Sequence, residues 1–150
     1  MKSKAPTPQI RPASVSDMDA MFRVRAAVGE DTMTAEELSA IGVTPDSISQ
    51  AVLGAPCSWV AAVNDEVVGF AMVDLDSACL FALFVLPEHE GCGIGTALTH
   101  ACEQALFQQH ASAWLEIAKE SRAARPYRYL GWGDEVDIGS GDIRLKKQRA

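Results

Sequence analysis

The sequence predicts a mixed α/β fold in which helices cover the faces of a central mixed sheet of six to seven strands. Three observations lead to this class. β-rich runs and helical runs follow one another along the chain, the run 78–87 is apolar on both faces, and a glycine-rich turn joins that run to a helix. The predicted order is β-α-α-β-β-β-α-β-α-β, and the 150 residues suffice for a single domain over 8–150 behind a flexible tail, 1–7.

The first half of the chain supplies a strand, a block of helices and a hairpin. The strand covers 9–13 and is followed by a helix that Ser14 or Ser16 caps. A capping box at 34–37 begins a second helix, and a proline at the first helical position begins another at 44–46. Two β-rich runs then meet at Asn64-Asp65-Glu66, which is typical of a hairpin turn.

The second half alternates strands and helices. The apolar run 78–87 is expected to be a central strand, and residues 96–110 carry apolar side chains at helical spacing. A strand at 114–118 and a helix at 121–130 follow, with Gly131 ending the helix and Pro126 kinking it. The run D-I-R-L-K-K near the C-terminus is expected to close the sheet.

Composition and charge exclude several classes of function. The chain is 48% hydrophobic and 22% charged, as expected of a globular protein, and it shows neither a signal peptide nor an apolar run long enough for a membrane span. A net charge of −7 argues against binding to nucleic acid and suits a cationic acceptor. The four cysteines match no zinc-binding spacing, so we expect no metal, reduced thiols and a cytoplasmic location.

The stretch P-E-H-E-G-C-G-I-G-T-A-L, residues 87–98, carries the chemistry. A glycine-rich turn between a strand and a helix presents unpaired backbone N–H groups and the positive end of the helix dipole, which together bind anions. A dinucleotide-binding turn needs G-x-G-x-x-G, and a P-loop needs a lysine before its final Ser or Thr. The glycines at 91, 93 and 95, followed by Thr96, satisfy neither pattern.

The same stretch resembles the acetyl-CoA-binding segment of the GNAT superfamily of N-acetyltransferases, which has the pattern (Gln/Arg)-x-x-Gly-x-(Gly/Ala). Only Glu90, at the first position, departs from it. A second family pattern, close to N-x-x-A-x-x-x-Y-x-x-x-G-F, is matched by Ala123, Tyr127, Gly131 and Trp132, with Glu120 in place of the asparagine. The resemblance covers nearly the whole chain.

The resemblance implies a binding site for acetyl-CoA, as a co-substrate, made mostly of backbone. Three strand residues would pair with the pantetheine arm: Leu83, Phe84 and Val85. The turn would hold the pyrophosphate through the N–H groups of Gly91, Cys92, Gly93, Ile94, Gly95 and Thr96. In the family this strand is splayed from its neighbour by a bulge, and one backbone N–H near Val85 would stabilise the oxyanion.

Two side chains acquire catalytic roles from the resemblance. Tyr127 would protonate the departing thiolate of CoA, with Tyr129 as a weak substitute, and the alternative for Tyr127 is a purely structural, buried aromatic ring. Glu116, or a chain of waters, would accept the proton of the attacking amine. Asp74 and Asp76 are alternatives for that base, although such residues are more often turn formers.

The expected function is an N-acetyltransferase that passes acetyl from acetyl-CoA to a primary amine of a small molecule or peptide, by direct attack in a ternary complex. The helices between 18 and 53 would select the acceptor, and a homodimer is an open expectation. Glu90 and Glu120 leave a second reading open, a non-catalytic acyl-CoA-binding module of the same fold. A third, a nucleotide-binding α/β protein, predicts that a dinucleotide binds in preference to CoA.

Overall fold

The computed structural model describes residues 8–27, 57–90, 93–120 and 124–149. The strands are β1 (Gln9–Pro12), β2 (Ser58–Val63), β3 (Glu66–Asp74), β4 (Cys79–Val85), β5 (Ser112–Ala118), β6 (Gly133–Gly139) and β7 (Asp142–Gln148), and the helices are α1 (Met18–Ala27), α2 (Ile94–Gln109) and α3 (Ala124–Tyr129). The predictions for the tail 1–7 and for the helices at 34–42 and from 44 onward fall outside the described residues.

All seven strands form one mixed sheet in the order β1-β2-β3-β4-β5-β7-β6, which confirms the predicted fold class. Neighbouring strands are antiparallel, except for β4 and β5, which are parallel. The predicted C-terminal strand is present as β7, yet it does not close the sheet, because β6 lies outside it. Strand β6 reads G-D-E-V-D-I-G and is almost wholly exposed, and its alternation is limited to Val136 and Ile138, which is too short to predict a strand.

Helices cover the two faces of the sheet, and each face has its own apolar core. On one face Met21 and Val24 of α1 pack against Val60, Phe70 and Met72 of β2 and β3. On the other face the buried side of α2 packs against a larger cluster to which β2, β3, β4, β5, β7 and α3 all contribute; it includes Leu98, Cys102, Leu106, Leu115, Tyr127, Trp132, Ile143 and Leu145. The α2 side therefore holds the main core.

A glycine in β3 lets α2 approach the sheet closely. A Cβ added to Gly69 would lie 3.0 Å from the carbonyl oxygen of Phe84 and 3.4 Å from side-chain atoms of Ile94 and Leu98. Any larger residue would push the start of α2 away from β4. Gly69 thus sets the spacing between the strand and the helix that flank the glycine turn.

Local sequence signals predicted most ends of strands and helices to within a few residues. The hairpin turn consists of Asn64 and Asp65, both at positive φ as a type I′ turn requires. Gly131, at φ +99°, follows α3 as expected. Pro126 is the third residue of α3 and the N–H of Leu130 still donates to its carbonyl oxygen at 3.0 Å, so the proline lies in the first described turn, where its missing N–H costs little. The predicted start of this helix, at 121, lies outside the described residues, so the mid-helix position of Pro126 stays a prediction.

Candidate active site

A cleft opens between the parallel strands β4 and β5. The two strands pair only at Cys79 and Trp114, where the N–H of Trp114 donates to the carbonyl oxygen of Ala78 at 3.0 Å. Beyond that point no ladder joins the described residues of the two strands. Backbone groups on the facing edges of β4 and β5 are therefore available to a ligand. We call this opening the β4–β5 cleft.

A β-bulge in β4 accompanies the cleft. Val73 pairs with Leu80 and Met72 pairs with Ala82, so Phe81 is an extra residue without a partner on β3. Bulges bend a strand and increase its local twist, which explains how β4 turns away from β5 just after their single point of pairing. The Phe81 side chain is 54% exposed. The bulge expected in this strand is thus present, four residues before Val85.

The backbone of β4 alternates between its two neighbours. The N–H of Leu86 donates to the carbonyl oxygen of Val68 on the β3 side at 2.8 Å. Alternation then turns the N–H and C=O groups of Val85 and Leu83 toward the cleft and those of Phe84 toward β3. Two of the three predicted pantetheine-pairing residues therefore direct backbone groups into the cleft.

Phe84 has a different role in the structure. Its ring packs on Phe70 with the centroids 5.4 Å apart, and the guanidinium of Arg25 lies 5.8 Å from its centroid. These contacts place the Phe84 side chain on the α1 face of the sheet. They tie β4 to α1.

The N-terminus of α2 lies next to the end of β4. Gly93 precedes the helix at φ +83°, a conformation that favours glycine, and a Cβ added there would meet no described atom within 4 Å. A Cβ on Gly95 would meet only the Leu83 side chain, at 4.0 Å. Ile94 is buried, so it can offer only its backbone, and Thr96 is exposed. The described part of the turn thus leaves open space next to the N–H groups of the first turn of α2.

Three other features of this turn bear on the predictions. Gly91 and Cys92 lie outside the described residues. Glu90, the position that departs from the family pattern, is exposed. Its backbone N–H donates to the carbonyl oxygen of Pro87 at 3.3 Å, which closes a short 3-10 turn before the glycines.

Tyr127 lies in α3 on the α2 side of the sheet, and its side chain is part of the main core. Its ring meets the ring of Trp132 edge to face with the centroids 6.1 Å apart. Burial, reinforced by the neighbouring Cys102 thiol, raises the pKa of the Tyr127 phenol. The hydroxyl is therefore protonated at neutral pH, and it is a weaker acid than an exposed phenol. Tyr129, by contrast, is 90% exposed and points away from this core.

Glu116 lies on the opposite face of the sheet, because Leu115 beside it in β5 faces the main core. Its Oε2 atom accepts hydrogen bonds from Nε and Nη2 of Arg144 at 3.0 and 2.5 Å. The same guanidinium stacks over the ring of Trp114 at 4.6 Å. Both hydrogen bonds from Arg144 go to the same carboxylate oxygen of Glu116. We call Glu116, Arg144 and Trp114 the exposed triple, since both charged side chains are about 40% exposed.

The two predicted catalytic side chains thus lie on opposite sides of the sheet, and Glu116 is on β5, two residues beyond the point where β4 and β5 pair. The alternative base candidates form a turn: the N–H of Asp76 donates to Oδ1 of Asp74 at 3.0 Å. Sequence reasoning missed Arg144, the cation that holds Glu116. The signal available was its place opposite Glu116 in a neighbouring strand, which only the register reveals.

The described residues contain no group of three or more His, Cys, Asp and Glu side chains that could hold a metal ion. Cys57, Cys79 and Cys102 are buried thiols. Burial raises the pKa of the Cys79 thiol to about 11 and that of the Cys102 thiol to about 12. These thiols are poor nucleophiles at neutral pH. In the part of the chain that the structure describes, no helix has the length and apolar character needed to cross a membrane.

A seven-stranded mixed sheet, split between two parallel strands beside a glycine-led helix, defines an acetyltransferase-like α/β protein. The chain matches the Acetyltransferase (GNAT) family over residues 28–132 and belongs to that family. Membership of this family supports an acyl-CoA-dependent transferase.

A curated relative is the [ribosomal protein bS18]-alanine N-acetyltransferase of Haemophilus influenzae, with 35% identity over 78 residues. The match covers 50% of this chain and 53% of that protein, so it spans about half the length of the relative.

Solved structures of low sequence identity share the fold. The PaiA N-acetyltransferase of Thermoplasma acidophilum, in complex with coenzyme A, has a TM-score of 0.77 at 15% identity over 95% of this chain and 99% of that one. The ribosomal-protein-S18-alanine N-acetyltransferase of Escherichia coli has a TM-score of 0.71 at 20% identity over 95% and 94%. Arabidopsis thaliana Naa50, in complex with a bisubstrate analogue CoA-Ac-MVNAL, has a TM-score of 0.68 at 15% identity over 95% and 99%.

Proposed function

We propose that this protein is an N-acetyltransferase that passes acetyl from acetyl-CoA to the primary amine of a peptide or protein, by direct attack in a ternary complex. The observation that carries the proposal is the β4–β5 cleft beside the glycine-led N-terminus of α2, in a sheet that has Tyr127 on one side and Glu116 on the other. This placement suits a displacement in which a base serves the attacking amine and an acid serves the departing sulfur.

The residues around the cleft fit acetyl-CoA, which supplies the activated acetyl group when bound. The α2 N-terminus offers N–H groups at Ile94, Gly95 and Thr96 to a pyrophosphate, with Gly93 leaving open space above them. Backbone groups of Leu83 and Val85 face the cleft, where an amide-rich arm would find partners. The N–H of Val85 is the candidate for stabilising charge on the carbonyl oxygen.

Two side chains manage the protons in this proposal. Tyr127 donates a proton to the departing sulfur, a transfer from a phenol to a group whose free pKa is about 8.5. Glu116 accepts the proton of the amine through Oε1, the oxygen that Arg144 leaves uncontacted. The ion pair holds the carboxylate in a single orientation toward the acceptor side.

The acceptor side carries negative charge that suits an ammonium group. A hollow of about 500 Å³ is lined by Glu116, Ile117, Ala118, Ser140, Gly141 and Asp142, and so contains two carboxylates. The net charge of −7 adds long-range attraction for a basic peptide. Further support for a peptide acceptor comes from the relative of Haemophilus influenzae, which is named for acetylating an alanine of a ribosomal protein.

Release of CoA thiol from acetyl-CoA tests the proposal, with an alanine-initiated peptide, a polyamine and no acceptor as parallel arms. Tyr127→Phe should lower kcat by about 100-fold, the order that general acid catalysis contributes. Tyr129→Phe is the matched control, because that tyrosine is exposed two residues away, and it should leave kcat unchanged. Absence of turnover with every acceptor in the wild-type protein contradicts the proposal.

The acyl-CoA-binding module remains the second candidate, because Glu116 is already paired with Arg144. Binding of acetyl-CoA by calorimetry without turnover would favour it. Binding of a dinucleotide in preference to CoA would favour the nucleotide-binding reading instead. The same titration with Glu90→Gln shows whether the carboxylate at that position opposes CoA binding, in which case the affinity rises.

We also propose a cytoplasmic location, which the free thiols of Cys79 and Cys102 support. A homodimer stays a prediction, and light scattering coupled to gel filtration tests it.

A further inference from the structure

A buried polar cluster links three elements behind Tyr127. Glu103 of α2 accepts a hydrogen bond from Nε1 of Trp132 at 3.0 Å through Oε2 and one from Nζ of Lys147 at 2.9 Å through Oε1. Nζ of Lys147 also donates to the carbonyl oxygen of Leu130 at 2.8 Å. We call Glu103, Lys147 and Trp132 the buried triple. Each carboxylate oxygen and the indole N–H has a partner, so its polar groups are satisfied.

The triple exists because a tryptophan occupies a fully buried position. Trp132 is 1% exposed, and an indole N–H buried without an acceptor would carry a desolvation penalty. Phenylalanine at the same site would pack without needing Glu103, and a buried Glu103 without Lys147 would be an uncompensated charge. The three residues therefore depend on one another.

These contacts also determine where Tyr127 lies. Trp132 touches the Tyr127 ring and donates its backbone N–H to the Tyr127 carbonyl oxygen at 3.0 Å. Lys147 binds the carbonyl of Leu130, immediately after α3. The described helix is only six residues long, and so short a helix has little stability of its own. Its position relative to the cleft must come from tertiary contacts such as these.

Glu103 links the position of Tyr127 to the helix that borders the glycine turn. It lies on α2, the helix whose N-terminus borders the glycine turn, while Lys147 is on β7. Through Trp132 it joins α3 to the element expected to hold the pyrophosphate. We propose that Glu103 is a positioning residue, which aligns Tyr127 with the β4–β5 cleft through Trp132 and Lys147. The inference rests on the proposed function, in which Tyr127 is the proton donor.

Acetyl transfer by variants at residue 103 tests the proposal. Glu103→Ala should lower kcat about tenfold or more, since small misplacements of a catalytic group are costly, with KM for acetyl-CoA within about twofold. Glu103→Gln keeps an acceptor for the indole and should recover much of that loss. Gln104→Ala, on the exposed side of the same helix, is the matched control and should leave kcat unchanged.

A double-mutant cycle separates positioning from general support of the fold. In the Tyr127→Phe background, Glu103→Ala should have no further effect on kcat, because the group being positioned is gone. Equal losses of kcat in both backgrounds, or a lower melting temperature with unchanged kcat, would overturn the positioning role alone. An inactive wild-type protein overturns the proposed function and this role together.

Trp132→Phe provides a second approach if Glu103→Ala does not fold. It removes the indole N–H, keeps an aromatic ring against Tyr127, and should lower kcat by about the same factor as Glu103→Ala. Circular dichroism at the assay temperature confirms that each variant is folded. An unchanged kcat in folded Trp132→Phe counts against the proposal.

Discussion

Two carboxylate–cation–tryptophan groups lie on opposite faces of β7, which supplies Lys147 to one and Arg144 to the other, and they differ in burial. In the buried triple, the Glu103 and Lys147 side chains are 12% and 23% exposed, whereas the two charges of the exposed triple are 39% and 40% exposed. In the buried triple the carboxylate binds both the lysine and the indole N–H, and the lysine also donates to a backbone carbonyl oxygen. In the exposed triple the carboxylate binds the arginine through one oxygen, and the indole N–H instead donates to the carbonyl oxygen of Ser77. The same residue types therefore support the fold on one face and offer a chargeable group to solvent on the other.

The difference follows from the cost of desolvation. A buried charge must be paired, so losing either partner of Glu103–Lys147 is expensive. An exposed pair gains little because water already solvates both ions. Breaking the ion pair between Glu116 and Arg144 should consequently cost the fold little, which suits the role proposed here for Glu116.

The largest expected effect comes from breaking the buried pair. Lys147→Met leaves Glu103 charged and buried with only the indole as a donor, and should lower the free energy of unfolding by about 3 kcal/mol. Urea denaturation followed by circular dichroism measures this. Lys146→Met, at the exposed neighbouring position, is the control. A loss below about 1 kcal/mol for Lys147→Met would remove the distinction between the two groups.

An intermediate effect is expected at a third pair, which extends the comparison. Asp17 contacts Arg11 at 2.7 Å and accepts from the Ser14 N–H at 2.8 Å, with side-chain exposures of 8% for Asp17 and 38% for Arg11. The hydrogen bond from Arg11 is the main cause that lowers the pKa of Asp17 to about 2 from 3.8. A carboxyl group with a lower pKa in the folded state stabilises the fold at pH values above its unfolded-state pKa. That contribution is lost as the pH falls through the folded-state pKa.

Asp17→Asn should therefore cost about 1–2 kcal/mol at pH 7, and the gap to wild type should close between about pH 4 and pH 2. Thermal melts across that pH range measure the gap. Asp19→Asn, an exposed aspartate two residues on, serves for comparison. A gap that is constant from pH 7 to pH 2 would show that the Asp17 contacts do not depend on its charge.

The smallest stability effect is expected in the exposed triple. Arg144→Met should change the free energy of unfolding by less than about 1 kcal/mol. It should nevertheless lower kcat/KM about tenfold, because Glu116 loses the group that orients it. Arg144→Lys keeps the charge without the two-point contact, and its kcat/KM should lie between those of the wild type and Arg144→Met. An Arg144→Met variant with full activity would show that Arg144 does not orient Glu116 for the reaction.

Much of the fold and part of the site follow from local signals. The apolar run that became β4, the glycine turn and the helical spacing of α2 are each encoded within about a dozen residues, and together they indicated the family. The N–H-rich turn before α2 needs only local sequence, since helix geometry exposes those groups wherever a helix begins. Tyr127 and Glu116 were singled out by motif, and their catalytic roles stay predictions.

The tertiary structure alone decided the rest. Lys147 is 44 residues from Glu103 and Arg144 is 28 from Glu116, and no local periodicity brings such residues together. The placement of β6 outside β7, the splay after Cys79 and Trp114, and the faces that Glu116 and Tyr127 occupy depend on strand register across the sheet. The sequence by itself determined which elements form, because backbone propensity and apolar period are local. Only the assembled sheet decided which charges are buried and which meet solvent, because burial is a property of the whole packing.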